Sequence, residues 1–162
     1  MSNYTLYVRD AFGDYAPAEP ELIIAEAKRR IAARFRRGTA LTSPNAAREA
    51  IHLKLAEYDH EVFAGLFLDN QHRLIAFSEL FHGTIDGASV YPREVVKAAL
   101  GCNAAAVIFC HNHPSGVADP SEADKAITQR LKTALNLLDI RVLDHFIVGA
   151  DAIYSFAEHG LL

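Results

Sequence analysis

Between Glu21 and Arg37 apolar residues recur about every four positions (Leu22, Ile23, Ala27, Ile31, Phe35), which predicts a helix with one apolar stripe. Acidic residues lead it, basic residues trail it, and Gly38 suits its end. Ahead of it, Tyr4–Val8 reads as a short strand, and Gly13, Pro17 and Pro20 as an extended arm. A second helix is expected from Ser43-Pro44, a cap followed by proline at the first helical position, to about Tyr58. The pattern then changes. Val62–Leu68 and Leu74–Phe81 are apolar runs of strand length joined by Asp69-Asn70-Gln71-His72, which predicts a hairpin. Tyr91-Pro92 opens a helix to Leu100, and Ser121 opens another to about Leu137. Ala104–Cys110 is continuously apolar, as a central strand buried on both faces should be. Arg141–Val148 and Ala152–Phe156 form a last strand pair around Gly149-Ala150-Asp151. The expected architecture is α/β, a mixed sheet with helices packed on it.

Composition narrows this little. The chain has 162 residues, about one domain, with 51% hydrophobic and 22% charged residues, so it is neither disordered nor low-complexity. No apolar run is long enough for a membrane span, and the first ten residues lack the features of a secretory signal. Cys102 and Cys110 lie in apolar surroundings without a CxxC pair and read as buried, reduced thiols, so a cytoplasmic location is expected. The net charge of −4 argues against a general nucleic-acid binder.

The chemistry concentrates at the end of the expected central strand, in Cys110-His111-Asn112-His113-Pro114-Ser115-Gly116. Residues two apart in extended backbone point to the same side, so His111 and His113 present two imidazoles together. Two neutral imidazoles begin a zinc site, which in catalytic form takes three protein ligands and keeps a fourth position open. Asp124, in the first turn of the next helix, is close enough in sequence to close on the same ion, and Asp119 competes with it. Glu79 is a candidate general base if its strand lies beside the His-x-His strand. Each residue also has a plainer reading. His-x-His arises by chance, Ser121-Glu122-Ala123-Asp124 is a capping box in its own right, and Glu79 suits a solvated strand end.

His111-Asn112-His113-Pro114, Ser121 and Asp124, with Glu79 upstream, together resemble the JAB/JAMM metalloprotease signature of the MPN fold, and more narrowly its RadC-like branch. Phe77–Thr84, Pro92–Val95, Asn103–Gly116, Leu143-Asp144-His145 and Ser155–Glu158 carry the resemblance from about Thr42 to Leu162. It implies an MPN/JAB-type, cytidine-deaminase-like mixed sheet over residues 42–162, preceded by an arm and helix over 1–41. It also implies zinc on His111, His113 and Asp124, Glu79 as general acid/base and Ser121 as oxyanion donor. The implied activity is hydrolysis of a peptide or isopeptide bond in a peptide or protein substrate. RadC-like proteins of full length carry a helix-hairpin-helix region ahead of this domain, so a short, stand-alone member is expected. Asn112 stands where deubiquitinating JAMM proteins have Ser or Thr, and six residues, one fewer than in those proteins, separate Pro114 from Ser121. Both features turn the reading away from a ubiquitin-like substrate. Val117 and Ala118 replace more polar residues usual in this loop.

Other signals are weaker. His60-Glu61-Val62-Phe63-Ala64 begins like H-E-x-x-H but lacks the second histidine. Asp144-His145 reads either as an ordinary strand pair or as a carboxylate orienting a ligand histidine. Six of the ten residues from Lys28 to Arg37 are basic, which suits a helix C-terminus with acidic neighbours better than a nucleic-acid surface. The alternative to a peptidase is an accessory protein of DNA repair or mobile elements that uses the fold as a nucleic-acid or protein-binding module. A metal-bound but idle scaffold is a third reading. The arm also offers a surface for a homo-oligomer.

Overall fold

The computed structural model describes residues 5–9, 11–40, 44–55, 58–83 and 90–162. The chain divides into two units, one ending at Arg34 and one beginning at Phe35. The boundary expected between residues 41 and 42 lies outside the described residues, as do Tyr4, Ser43 and Thr84. Among the described residues no helix is long and apolar enough to cross a membrane.

In the first unit, β1 (Tyr7–Arg9) pairs antiparallel with β2 (Tyr15–Pro17), so the expected extended arm is a hairpin. Gly13, at φ +99°, supplies a backbone conformation in its turn that side chains disfavour. Helix α1 (Pro20–Arg34) follows, with Pro20 at its start, where a missing N–H costs nothing. None of its residues is buried, so the expected apolar stripe covers no core. Arg29 and Arg30 both bond Glu26, at 2.6–2.7 Å. The helix ends three residues before the expected Arg37. Phe35 already belongs to the second unit, where its ring meets Phe77 edge-on at 5.0 Å, and the Gly38 N–H donates to the carbonyl of Leu74 at 2.7 Å.

The second unit is built on a five-stranded sheet in the order β4-β3-β5-β6-β7. These strands are β3 (Val62–Leu68), β4 (Leu74–His82), β5 (Ala106–Asn112), β6 (Arg141–Val148) and β7 (Ile153–Ser155). β3 and β4 form the expected hairpin, closed by Asp69, whose carboxylate accepts the N–H groups of Gln71 and Arg73 at 2.8 and 2.9 Å. β5 and β6 are parallel and the other pairs antiparallel, so the sheet is mixed. A parallel pair needs a long crossover, and α4 (Glu122–Asn136) lies within it.

Every residue of the central β5 is buried, which is why that part of the sequence lacks alternation. One face of the sheet packs on α2 (Pro44–Leu55) through Ile51, Leu55, Leu66, Ile108 and Cys110. The other face packs on α3 (Pro92–Gly101) and α4 through Phe63, Val95, Phe109, Leu131 and Leu135. Cys110 faces α2, with its sulfur 3.8 Å from the carbonyl of Ala64.

Candidate metal centre

Strand parity sends His111 to the α4 side and Cys110 to the α2 side. His113 lies one residue beyond β5, but its N–H still donates to the carbonyl of Val148 at 2.9 Å, which keeps the backbone aligned. The two imidazoles therefore share a face, with their Nε2 atoms 2.9 Å apart. Phe63, paired with His111 across the β3–β5 ladder, stacks on its ring at 6.0 Å.

Asp124 arrives from the N-terminus of α4. Ser121 caps that helix, its Oγ accepting the Asp124 N–H at 3.1 Å, while Asp124 Oδ2 accepts the Ser121 N–H at 2.8 Å. The Ser121 hydroxyl also donates to Asp124 Oδ2, at 2.6 Å. The capping box and the metal reading are thus compatible, because the cap itself holds Asp124 over the histidines. Oδ1 lies 3.3 Å from His111 Nε2, and Oδ2 lies 3.6 Å from His113 Nε2. His111, His113 and Asp124 each offer a ligand atom, and these atoms lie within 4.8 Å of one another. They form a group that can bind a metal ion.

The donor chemistry fits a cation. His113 Nδ1 is 2.8 Å from the carbonyl of Val117, which can only accept, so Nδ1 carries a proton. A neutral His113 then aims a bare Nε2 at its neighbour. Two nitrogens 2.9 Å apart beside a carboxylate require a proton or a cation between them. The pKa of His113 is raised, chiefly by its hydrogen bond to Asp124, so it takes up a proton more readily than a free imidazole. Burial pushes the Asp124 carboxyl upward, but the close approach of the His111 and His113 rings and the hydrogen bond from Ser121 outweigh it and hold the group well below the usual carboxylate range. Asp119 is not part of the metal-binding group.

Glu79 is not brought to this centre. β4 pairs with β3, so β3 separates it from the His-x-His strand. Glu79 is opposite Ala64, which is opposite Cys110, and this parity puts it on the α2 face. There it bonds the Tyr58 hydroxyl and lies 4.0 Å from Lys54 Nζ. The role expected for Glu79 as general acid/base is therefore corrected: its carboxylate points away from His111.

A second carboxylate acts on His113 from the β3 side, that of Glu61. It precedes Phe63 by two residues, its carbonyl accepts the Gly83 N–H at 2.7 Å in continuation of the hairpin ladder, and its charge helps raise the pKa of His113. The strand parity of Glu61 and Phe63 is the sequence signal for this placement.

Asp144 does not orient a ligand. Its carboxylate accepts the Ser155 hydroxyl at 2.6 Å and the N–H groups of His145 and Ala157 at 2.7 and 3.0 Å. His145 itself is the neighbour of the metal group, its Nε2 lying 2.9 Å from His111 Nδ1. Burial holds its pKa well below the usual histidine value.

Comparison with known proteins agrees with this architecture. The profile of the RadC-like JAB domain matches residues 41–161. A UPF0758 protein of Methylibium petroleiphilum is 58% identical over 145 residues, covering 90% of this chain and 65% of its own length. One from Vibrio cholerae is 59% identical over 140 residues, 86% of this chain and 88% of its own. One from Nitrosococcus oceani is 63% identical over 128 residues, 79% of this chain and 57% of its own. The chain thus spans just under two thirds of the Methylibium relative. The fold and the matches define a mixed-sheet protein of the JAB/MPN type, and this chain belongs to the RadC-like JAB domain family.

Proposed function

We propose that the protein is a zinc-dependent metallopeptidase that hydrolyses a peptide or isopeptide bond in a peptide or protein substrate. The observation that carries the reading is the convergence of two imidazole Nε2 atoms and one carboxylate at the end of a buried central strand. Zinc is the ion of choice because two histidines, one carboxylate and an open position are a common catalytic zinc arrangement. When bound, it would supply Lewis acidity and lower the pKa of coordinated water towards about 7.

The chain's own residues divide the remaining work. His111, His113 and Asp124 hold the ion. Glu61, on the same face of the sheet, accepts a proton from the nucleophile and returns it to the leaving amine. Ser121 keeps Asp124 in place through the cap, its one hydroxyl proton going to Asp124 Oδ2; the expected role as oxyanion donor requires that proton to turn from the carboxylate to the substrate.

The test is elemental analysis of purified protein beside a His113→Ala, Asp124→Ala variant, followed by turnover of a peptide library. About one zinc per chain in the native protein, none in the variant, and zinc-dependent cleavage support the reading. Native protein that takes up no zinc when offered it overturns the reading.

A further inference from the structure

We propose that Thr128 and His145 are positioning residues that decide which nitrogen of His111 carries its proton, and so keep the Nε2 lone pair of His111 directed at the metal group. This inference rests on the metal reading above.

The argument follows the protons from a group whose role is fixed. The backbone carbonyl of Asp124 can only accept. Thr128, one helical turn later on α4, places its hydroxyl 2.6 Å from that oxygen and donates to it. A hydroxyl has a single proton. With that proton committed, Thr128 Oγ1 meets His145 Nδ1, 2.6 Å away, as an acceptor, so Nδ1 of His145 carries a hydrogen.

His145 is fully buried, and the rings of Phe63, Phe109 and Phe156 surround it at 5.4, 6.1 and 4.8 Å. Among the described residues no carboxylate bonds its ring, since Asp144 is engaged on the other side. The imidazole is therefore neutral, and its Nε2 is a lone pair. That lone pair accepts the Nδ1–H of His111 at 2.9 Å. His111 is left with a bare Nε2, 2.9 Å from His113 Nε2 and 3.3 Å from Asp124 Oδ1.

The chain of donors is a closed circuit. It begins at the carbonyl of Asp124 and ends at a lone pair beside the carboxylate of the same residue. A metal-binding histidine generally needs its other nitrogen held by a partner that fixes tautomer and ring orientation. Here the partner is a second histidine, and Thr128 gives that histidine its polarity.

The experiment uses the full chain with its histidines labelled with ¹⁵N. Metal-free wild type should show protonated Nδ1 and unprotonated Nε2 at both His111 and His145. Thr128→Val removes the hydroxyl while keeping the volume. It should scramble both tautomers and weaken Zn²⁺ binding, measured by competition with a chelating dye, by roughly 10–100-fold. Thr128→Ser should restore both.

Native tautomers and native Zn²⁺ affinity in Thr128→Val overturn the proposal. So does a proton on Nε2 of His145 in the wild type, a result that needs no variant to fold. Failure of the metal reading looks different: the wild type binds no Zn²⁺ while its tautomers remain as stated.

Discussion

The side-chain carbonyl of Asn112 accepts the backbone N–H of Val62 at 2.8 Å, deep in the protein. The amide of Asn112 also donates to the carbonyl of His60 at 2.9 Å. The residue between the two histidines of the candidate metal group thus clamps both peptide neighbours of Glu61. Removing it leaves a donor and an acceptor without partners at a buried strand end, at about 1–3 kcal/mol each. Asn112→Ala is expected to lower the thermal midpoint by roughly 4–24 °C. It should reduce turnover more than Zn²⁺ affinity. Calorimetry beside a Zn²⁺ titration would check this.

The two glutamates separate cleanly. Glu61→Gln keeps shape and metal ligands but removes the proton acceptor, so hydrolysis should fall by about 10²–10⁴-fold with zinc content unchanged. Glu79→Gln, on the α2 face, should change turnover less than threefold. Equal losses in the two variants would argue against Glu61 as the proton carrier.

The pH dependence of metal-free protein follows from His113 and Asp124. The pKa of His113 is raised above 6.5 by folding, so its stabilising contribution is full below that value and is lost as pH rises through the higher folded value. Asp124 is depressed below 3.8, so its contribution is present above that value and is lost as pH falls below it. For this pair, stability should be greatest between roughly pH 4 and 6.5. Zinc needs the neutral imidazole, so the loaded protein should instead gain stability as pH rises through 6.5. Thermal scans of chelated and zinc-loaded protein across pH should show opposite slopes there.

Zinc should also stabilise by simple linkage. At a free concentration 100 times the Kd, binding to the folded state alone contributes about 2.7 kcal/mol, or roughly 5–11 °C in the midpoint. His113→Ala with Asp124→Ala should abolish this shift. A shift of equal size in the double variant would place the ion elsewhere.

Gly149 has no room for a side chain. A Cβ there would stand 2.4 Å from the carbonyl oxygen of Gly116 and 3.0 Å from the N of Ala118, both backbone atoms. Gly149→Ala must therefore move the loop whose Val117 carbonyl holds His113 Nδ1. We expect a loss of about 1–3 kcal/mol in stability together with weaker Zn²⁺ binding. A dye-competition assay and a denaturant titration would measure both.

Several features are legible in the sequence because their signals are local. The period-two parity of His111 and His113, the cap at Ser121 and the apolar runs at Val62–Leu68 and Arg141–Val148 depend on neighbours within a few positions. Strand order does not. The position of Glu79 follows from which strand lies beside which and in what register: β3 stands between β4 and β5, and pairing with Ala64 puts the carboxylate on the other face. A register shift between Phe63 and Ala64 complicates parity further, because Leu80 is the extra residue in the partner strand. His145 meets His111 across 34 positions, through a parallel pairing that no local pattern announces. Helix α1 stops at Arg34, short of the periodic pattern, because the side chain of Phe35 packs against the second unit's core.

Cys110 sits one residue before His111 with no exposed surface, and burial pushes its thiol far up, so it is inert to alkylation while α2 stays packed on the sheet. A reagent reaches it only during excursions that lift α2 or part the central ladder. The rate of modification in excess reagent is therefore a clock for opening of the α2 face, built into the chain without a label. Because His111 is the next residue but points to the opposite face, the same clock tells opening behind the strand from changes at the histidine group itself.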